Sequence, residues 1–351
     1  MVDNNGESDT YSLKFKKAIE GKRLAALFTH YGPDPDGIGS LMAMEWLLNK
    51  FGIQSHIFYD GQISHPQNVA MTNLLDPGLQ QISEYVPENY DLRILLDAIP
   101  SYAGQNGSEI LYDIVIDHHK EGPASSFHGL FINLKNGSCC GTVWDLIINF
   151  GFKFEDDNDA DSRVATAMLV GIATDTENLM SEDSTEYEFR AWRDVFEAKD
   201  GTILRRVMNY ARPKAWIEAE ASAVKAVEIE DGVAVVGLGL IPAKHRDMIA
   251  DMAQKMVQWE DVNTAIAFAC VNGDRIEGSV RSNNASVIVT ELCKRLGGKY
   301  GDGGGKLGKG AYRYNLGGAA VDEEDDDEIR QKLWDVYAEK ERKRILRVIN
   351  K

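Results

Sequence analysis

The chain has 351 residues, 44% of them apolar, and a formal net charge of −17 at neutral pH. That length suits two domains with a core each, and the apolar content excludes a disordered chain. The excess of acid excludes broad electrostatic attachment to long duplex nucleic acid, and no run of about eighteen apolar residues offers a membrane span. The opening "MVDNNGESDTYS" is polar and lacks the basic-then-apolar pattern of a secretory signal, so a cytoplasmic protein is the expectation. Cys139, Cys140, Cys270 and Cys293 form no CxxC pair and no zinc-finger spacing. They read as reduced thiols, with Cys139 and Cys140 packed near a helix start.

From Leu24 to about Phe196, short apolar runs ("LAALFTH", "IQSHIFYD", "LRILLDAI", "LYDIVIDHH") alternate with amphipathic ones ("GIGSLMAMEWLLNKF", "GTVWDLIINFG"). The alternation predicts an α/β domain over 1–196, a mostly parallel sheet with helices on both faces. "SRVATAMLVGIAT" is small and apolar throughout, as a buried helix is, and helix continues through a connector at 197–223. A smaller α/β domain follows over 224–351. There "VEIEDGVAVVGLGL" reads as a hairpin turning at Asp231-Gly232, "AKHRDMIADMAQKMV" as a helix, and "NTAIAFACV" and "RIEGSVRS" as strands. "GGKYGDGGGKLGKG" is too poor in side chains for a strand interior and reads as a glycine-rich loop. The tail passes from the acidic "VDEEDDDE" into an amphipathic helix with a basic end, read as solvated.

In the first domain, "HYGPDPDGIGS" crowds His30, Asp34 and Asp36 into seven residues after a strand and before a helix that starts near Gly37. Asp97 ends "LRILLD"; Asp117, His118 and His119 end "YDIVID" and its continuation; Asp175 follows "AMLVGIAT". The crevice beyond the carboxyl ends of strands is where open α/β sheets bind ligands, so these segments can converge. Singly, each acid reads as a cap or turn former. Together they supply the mixed nitrogen and oxygen donors that Mn²⁺, Zn²⁺ or Fe²⁺ accept, and a cation pair would neutralise the crowded carboxylates. "ISHPQNVAM" is read two ways: His65 and Asn68 shape the site, or Pro66 simply starts a helix.

"DHH" at Asp117–His119, with "HYGPDPDGIGS", "LLDAIPS" and "GIATDTENL" in order around it, resembles the DHH phosphoesterase superfamily. That group includes RecJ-like nucleases, nanoRNA and pAp phosphatases, cyclic-dinucleotide phosphodiesterases and related pyrophosphatases. "GSVRSNN" and the glycine-rich stretch from Gly297 are similar to the DHH-associated substrate-binding domain. The resemblance implies two divalent cations, Mn²⁺ first, and a water activated between them. It implies that His30 and Asp34 hold one ion, that Asp36, His118 and Asp175 hold the other, and that Asp97 bridges them. His119 would then face the substrate phosphate while Asp117 orients the neighbouring imidazole. A homodimer is implied as well.

The segment from Lys294 to Arg313 carries Lys294, Arg295, Lys299, Lys306, Lys309 and Arg313 against the single acid Asp302. Glycine backbone N–H groups and these cations suit a phosphate or nucleotide tail. Arg281, Ser282, Asn283, Gly303, Gly304, Gly305, Lys306 and Lys309 are the candidate substrate-binding residues. Where the family commonly has Gly-Gly-Gly-His, this chain has Lys306, which binds phosphate but offers no imidazole. The expected activity is metal-dependent hydrolysis of small nucleotides: short oligoribonucleotides, linear dinucleotides or 3′-phosphoadenosine 5′-phosphate. The alternatives are a pyrophosphatase or exopolyphosphatase, and a non-catalytic nucleotide sensor.

Overall fold

A computed structural model describes residues 5–321 and 326–349; the first four residues of the polar start and the centre of the acidic run lie outside the described residues. The chain divides into two compact units, Met1–Ala211 and Arg212–Lys351, and the division falls inside the stretch read as a connector.

The first unit runs through α1 (Asn5–Ile19), β1 (Leu24–Phe28), α2 (Pro35–Lys50), β2 (Gln54–Tyr59), α3 (Pro66–Leu75), β3 (Leu79–Gln81) and β4 (Leu92–Leu96). It continues through α4 (Gly104–Gly107), β5 (Ile114–Ile116), β6 (Leu130–Ile132), α5 (Cys139–Asn149), α6 (Asp159–Asp175), α7 (Glu186–Phe196) and α8 (Gly201–Met208). The six strands pair in parallel throughout, in the order β3-β2-β1-β4-β5-β6. A parallel sheet of this kind has to be covered on both faces. The long helices pack on one face around Leu27, Ile57, Ile94 and Ile116. The other face carries Phe28, Phe58, Tyr112 and Val115 under the short helical turns that supply Ile82 and Ala103.

Strand order reverses between β1 and β4, because the chain first steps outward through β2 and β3 and then returns to the other side of β1. Such a reversal opens a crevice at the carboxyl ends of the two central strands. Phe28 pairs with Leu95 across them, which brings the residues two positions on, His30 and Asp97, to one level. α2 is buried along Pro35–Met44 and α6 crosses it at backbone distance: a Cβ on Gly171 would lie 3.0 Å from Asp36 Cα. Asp175 lies one turn further along α6.

The second unit runs through α9 (Lys214–Ala226), β7 (Glu228–Glu230), β8 (Val233–Ile241), α10 (Met248–Met256), β9 (Thr264–Val271) and β10 (Arg275–Ser282). It ends with α11 (Val289–Gly297), β11 (Gly301–Lys306), β12 (Lys309–Asn315) and α12 (Asp327–Ile349). Its sheet order is β11-β12-β10-β9-β8-β7, with β8 and β9 parallel and the other pairs antiparallel. The turn at Asp231 and Gly232 has φ of 48° and 79°, the left-handed pair that a two-residue hairpin needs.

Two expectations are corrected here. The glycine-rich segment is not a loop but the edge hairpin β11–β12. A Cβ on Gly303 would lie 2.0 Å from Cys293 O, and one on Gly301 2.1 Å from Arg313 O, so glycine lets the edge strand lie directly against α11 and β12. The tail helix, in turn, is not merely solvated. Trp334, Glu341 and Ile345 form a buried stripe on α12, which packs on α11 and β8. No helix among the described residues is long and apolar enough to cross a membrane.

Candidate metal centre

The turn after β1 sets the first donors. Asp34 caps α2, its Oδ1 accepting the N–H groups of Asp36 and Gly37, both at 3.0 Å, and Pro35 at the first helical position fixes the start. Asn68 Nδ2 donates to Pro33 O at 3.0 Å and braces that turn. His65 is the N-cap of α3, accepting from Gln67 N, so the helix-start reading describes it. The second carboxylate of the motif, Asp36, is 1% exposed and is received by another helix: Cys139 N donates to Oδ2 at 2.6 Å and Cys140 N to Oδ1 at 3.0 Å. Two helix N-termini, those of α2 and α5, therefore face the acidic cluster and partly offset its repulsion.

Each imidazole is aimed by its other ring nitrogen. His30 Nδ1 contacts Tyr31 O at 3.1 Å and His118 Nδ1 contacts Asn136 O at 3.3 Å, which turns both Nε2 atoms into the crevice. His30 Nε2 stands 3.4 Å from Asp34 Oδ1 and 3.7 Å from Asp97 Oδ2. His118 Nε2 stands 3.3 Å from Asp97 Oδ1, 3.2 Å from Asp175 Oδ2 and 3.9 Å from Asp36 Oδ2. His30, Asp34 and Asp97 thus form one donor group; Asp36, His118 and Asp175 form a second, and Asp97 turns one oxygen to each. Donors bonded to one cation at about 2.0–2.2 Å lie roughly 3.0–3.5 Å apart; the His30–Asp34, His118–Asp97 and His118–Asp175 separations fall in that range, and His30–Asp97 at 3.7 Å and His118–Asp36 at 3.9 Å lie slightly wider.

Asp97 is 3% exposed, and its Oδ1 is buried without a hydrogen-bond donor. It also sits at φ 59°, a left-handed conformation that a non-glycine residue adopts under strain. Three more left-handed residues, Glu177, Asn178 and Leu179, follow Asp175, pinned by Asn178 N to Ala173 O at 2.7 Å and Met180 N to Thr176 O at 2.9 Å. The electrostatics mark a place that recruits positive charge. Burial, then Asp36 and Asp34, holds the Asp97 carboxyl well above the usual range; burial pushes Asp36 up to about 6 against the pull of His118. Burial would lower His30, but Asp34 and then Asp97 raise it to about 10. These donors fit divalent cations: an orphaned anionic oxygen between two aimed imidazoles, in a mixed nitrogen and oxygen set.

Asp117 is buried and holds the ring of His119, Oδ1 to Nδ1 at 2.8 Å, while also accepting His118 N at 2.9 Å. That hydrogen bond raises His119, which is half exposed at the crevice wall. The holders of Asp36 and His118, namely the amides of Cys139 and Cys140 and the carbonyl of Asn136, were missed from sequence. Ser138 as an N-cap before "CCG" was the one available signal.

In the second unit a cavity of about 380 Å³ lies over β10, β12 and β11, with Ser279, Ala311 and Gly304 on its floor and Arg246 and Arg313 in its walls. Gly303 and Gly304 line it, and a Cβ on Gly304 would meet nothing within 4 Å. Gly305, Lys306 and Lys309 lie instead towards the hairpin end, where Lys306 and Lys309 face each other across the strands. Arg281 donates to Gln254 Oε1 and Ser279 Oγ, both at 2.9 Å. Ser282 Oγ bonds Thr264 Oγ1 at 2.9 Å, and Asn283 N donates to Asn263 O at 2.8 Å, so these two secure the end of β10. Arg246 was missed from sequence; it is held by Glu277 at 2.9 Å, a strand residue that carried no signal of its own.

Residues 25–172 match the DHH family, N-terminal domain. The chain is 28% identical over 339 residues to an uncharacterized protein of Methanocaldococcus jannaschii, covering 94% of this chain and 67% of that one. It is 25% identical over 174 residues to a probable manganese-dependent inorganic pyrophosphatase of Lactiplantibacillus plantarum, covering 50% of this chain and 55% of that protein. The chain thus spans about half the length of the curated pyrophosphatases it matches. In fold it is similar to an exopolyphosphatase-related protein from Bacteroides fragilis, with TM-score 0.67 and 15% identity over 96% of this chain and 98% of that one.

Proposed function

The chain belongs to the DHH family by its residues 25–172, and from that premise we propose that it is a metal-dependent hydrolase of phosphoester bonds in small nucleotides. The observation that carries the reading is Asp97, a buried carboxylate with one oxygen turned to each of two imidazole-containing donor groups. Two donor groups sharing one carboxylate support two divalent cations, and mixed imidazole and carboxylate donors favour Mn²⁺ over Mg²⁺. Cations in such a pair supply charge neutralisation at the phosphoryl oxygens and acidity to water. His30, Asp34, Asp36, His118 and Asp175 would hold them, with Asp97 shared between the two donor groups, and His119, steadied by Asp117, would donate to a phosphate oxygen from the crevice wall.

The test is turnover by Mn²⁺-loaded protein of pyrophosphate, 3′-phosphoadenosine 5′-phosphate, and linear and cyclic dinucleotides in one preparation. Release of mononucleotide or phosphate from a nucleotide substrate supports the reading; bound metal without turnover on any of them refutes it. A second reading, hydrolysis of pyrophosphate, is favoured by the likeness of half the chain to probable manganese-dependent inorganic pyrophosphatases. Turnover of pyrophosphate alone would select it.

A further inference from the structure

We infer that the ring of Tyr31 is a stacking surface for a nucleobase of the substrate, beside the metal donors, which makes the substrate a base-bearing phosphoester rather than a bare phosphate chain. The inference rests on the hydrolase reading and deepens it. Tyr31 follows His30 directly, and its own carbonyl receives His30 Nδ1. Its N–H donates to Tyr102 O at 3.1 Å, so the backbone is fixed on both sides of the residue.

The ring has a seat built from two glycines at the ends of neighbouring strand connections. Gly61 and Gly104 both have left-handed φ, +87° and +86°, and a Cβ would lie 2.8 Å from the Tyr31 ring at the first and 3.0 Å at the second. Asp60 ties the two connections together: its carbonyl accepts Gly32 N at 2.9 Å, its Oδ1 accepts Gly61 N at 2.8 Å, and its Oδ2 accepts Asn106 N at 3.3 Å. Yet Tyr31 is 56% exposed. Of the other rings in this unit, Phe15, Phe28 and Phe58 are fully buried, as their apolar area dictates, while Phe189 and Phe196 on α7 are exposed. A ring that is rigidly seated and still open to solvent, next to a phosphate-binding crevice, has what a base needs: a flat apolar surface at a fixed height. Tyr102, equally exposed, adjoins it, with its phenol donating to Glu121 Oε2 at 2.9 Å just beyond His119. Base–aromatic stacking tolerates any base, so the surface selects for the presence of a base rather than its identity.

The experiment compares a dinucleotide with its abasic counterpart, by kcat/KM and by affinity of the non-hydrolysable phosphorothioate forms, in wild type, Tyr31→Phe and Tyr31→Leu. The wild type and Tyr31→Phe should prefer the base-bearing form, and Tyr31→Leu, which fills the seat without a π face, should lose about tenfold or more of that preference. The loss should fall on KM, and the Mn²⁺-induced rise in Tm should persist in all three. In Tyr31→Trp, the base-bearing ligand should quench fluorescence beyond the wild-type change and the abasic one should not. An absent preference in wild type, a preference kept by Tyr31→Leu, or equal quenching by both ligands overturns the inference. Base-dependent binding without any turnover leaves the stacking surface standing and removes the hydrolase reading instead.

Discussion

Asp97 in the first unit and Glu341 in the second are both buried carboxylates, and the two units answer the same physical problem in opposite ways. Glu341, 1% exposed, accepts Tyr312 Oη at 2.7 Å and Tyr314 Oη at 2.6 Å, and Arg344 grips both its oxygens at 2.8 and 2.7 Å. Every need of that charge is met from within the chain, which is how a buried ion becomes a structural anchor. Asp97 is surrounded by other acids, faces His30 and His118 rather than any arginine or lysine among the described residues, and keeps one oxygen without a donor. Its countercharge within the described chain is limited to two titratable imidazoles. A buried carboxylate therefore signals structure or function according to where its countercharge comes from.

The widest separation between the two should come from removing the charges. Asp97→Asn should lower turnover by at least about 10²–10³-fold, the scale of losing a group that stabilises transition-state charge, and should abolish the Mn²⁺-induced rise in Tm. The metal-free protein should be at least as stable as wild type, since a repelled buried charge is gone; a metal-free variant clearly less stable would break the comparison. Glu341→Ala should do the reverse, costing about 3–5 kcal/mol in urea unfolding by stranding Arg344 and two phenols, with the Mn²⁺ response intact. Chelation followed by titration with Mn²⁺ should restore about 2–3 kcal/mol at a hundredfold excess over Kd, measured as a Tm shift that Glu341 variants share and Asp97 variants lack.

Asp117→Asn is a smaller perturbation. It leaves every candidate metal donor in place but replaces the anionic acceptor that orients and charges His119 with a neutral amide oxygen, so kcat should fall about 10–100-fold with Mn²⁺ affinity nearly constant. The smallest effect concerns Asp145, an intermediate case in which Tyr11 and Asn149 donate to the carboxylate and Arg190 acts on it only at longer range. Burial pushes it up to about 6, against the help of Asn149 and then Arg190, from 3.8 in the unfolded chain. Its folded form thus favours the proton: stability is full below pH 3.8 and is lost as pH rises through 6. Asp145→Asn should accordingly stabilise at pH 8, on the order of 1 kcal/mol once solvent screening is allowed for, and do nothing near pH 4. Tm measured at both values decides.

The convergence of the candidate donors was legible because their chemistry resides in side chains and most of them follow strand ends, Asp175 instead closing α6. His30, Asp34, Asp36, Asp97, His118 and Asp175 all come together at the crevice the topology opens. What holds them was mostly illegible. The amides of Cys139 and Cys140 and the carbonyl of Asn136 are backbone groups, and no letter of a sequence announces where a peptide dipole will point. Gly301–Gly305 misled for a related reason: propensity argues against a glycine strand, whereas contact with Cys293 O and Arg313 O tolerates little else. On α12 the many surface charges mask the stripe of Trp334, Glu341 and Ile345, whose burial depends on partners from α11, β8 and β12.

Asp36 emerges from the ribosome 103 positions ahead of the amide that will receive it. The backbone donors for that carboxylate come only with α5, and the last side-chain donor only with Asp175 at the end of α6. The first donor group is complete in sequence at Asp97, the second only at Asp175. A nascent chain halted before Asp175 would carry the recognisable "DHH" letters and still lack the grip of the mature molecule.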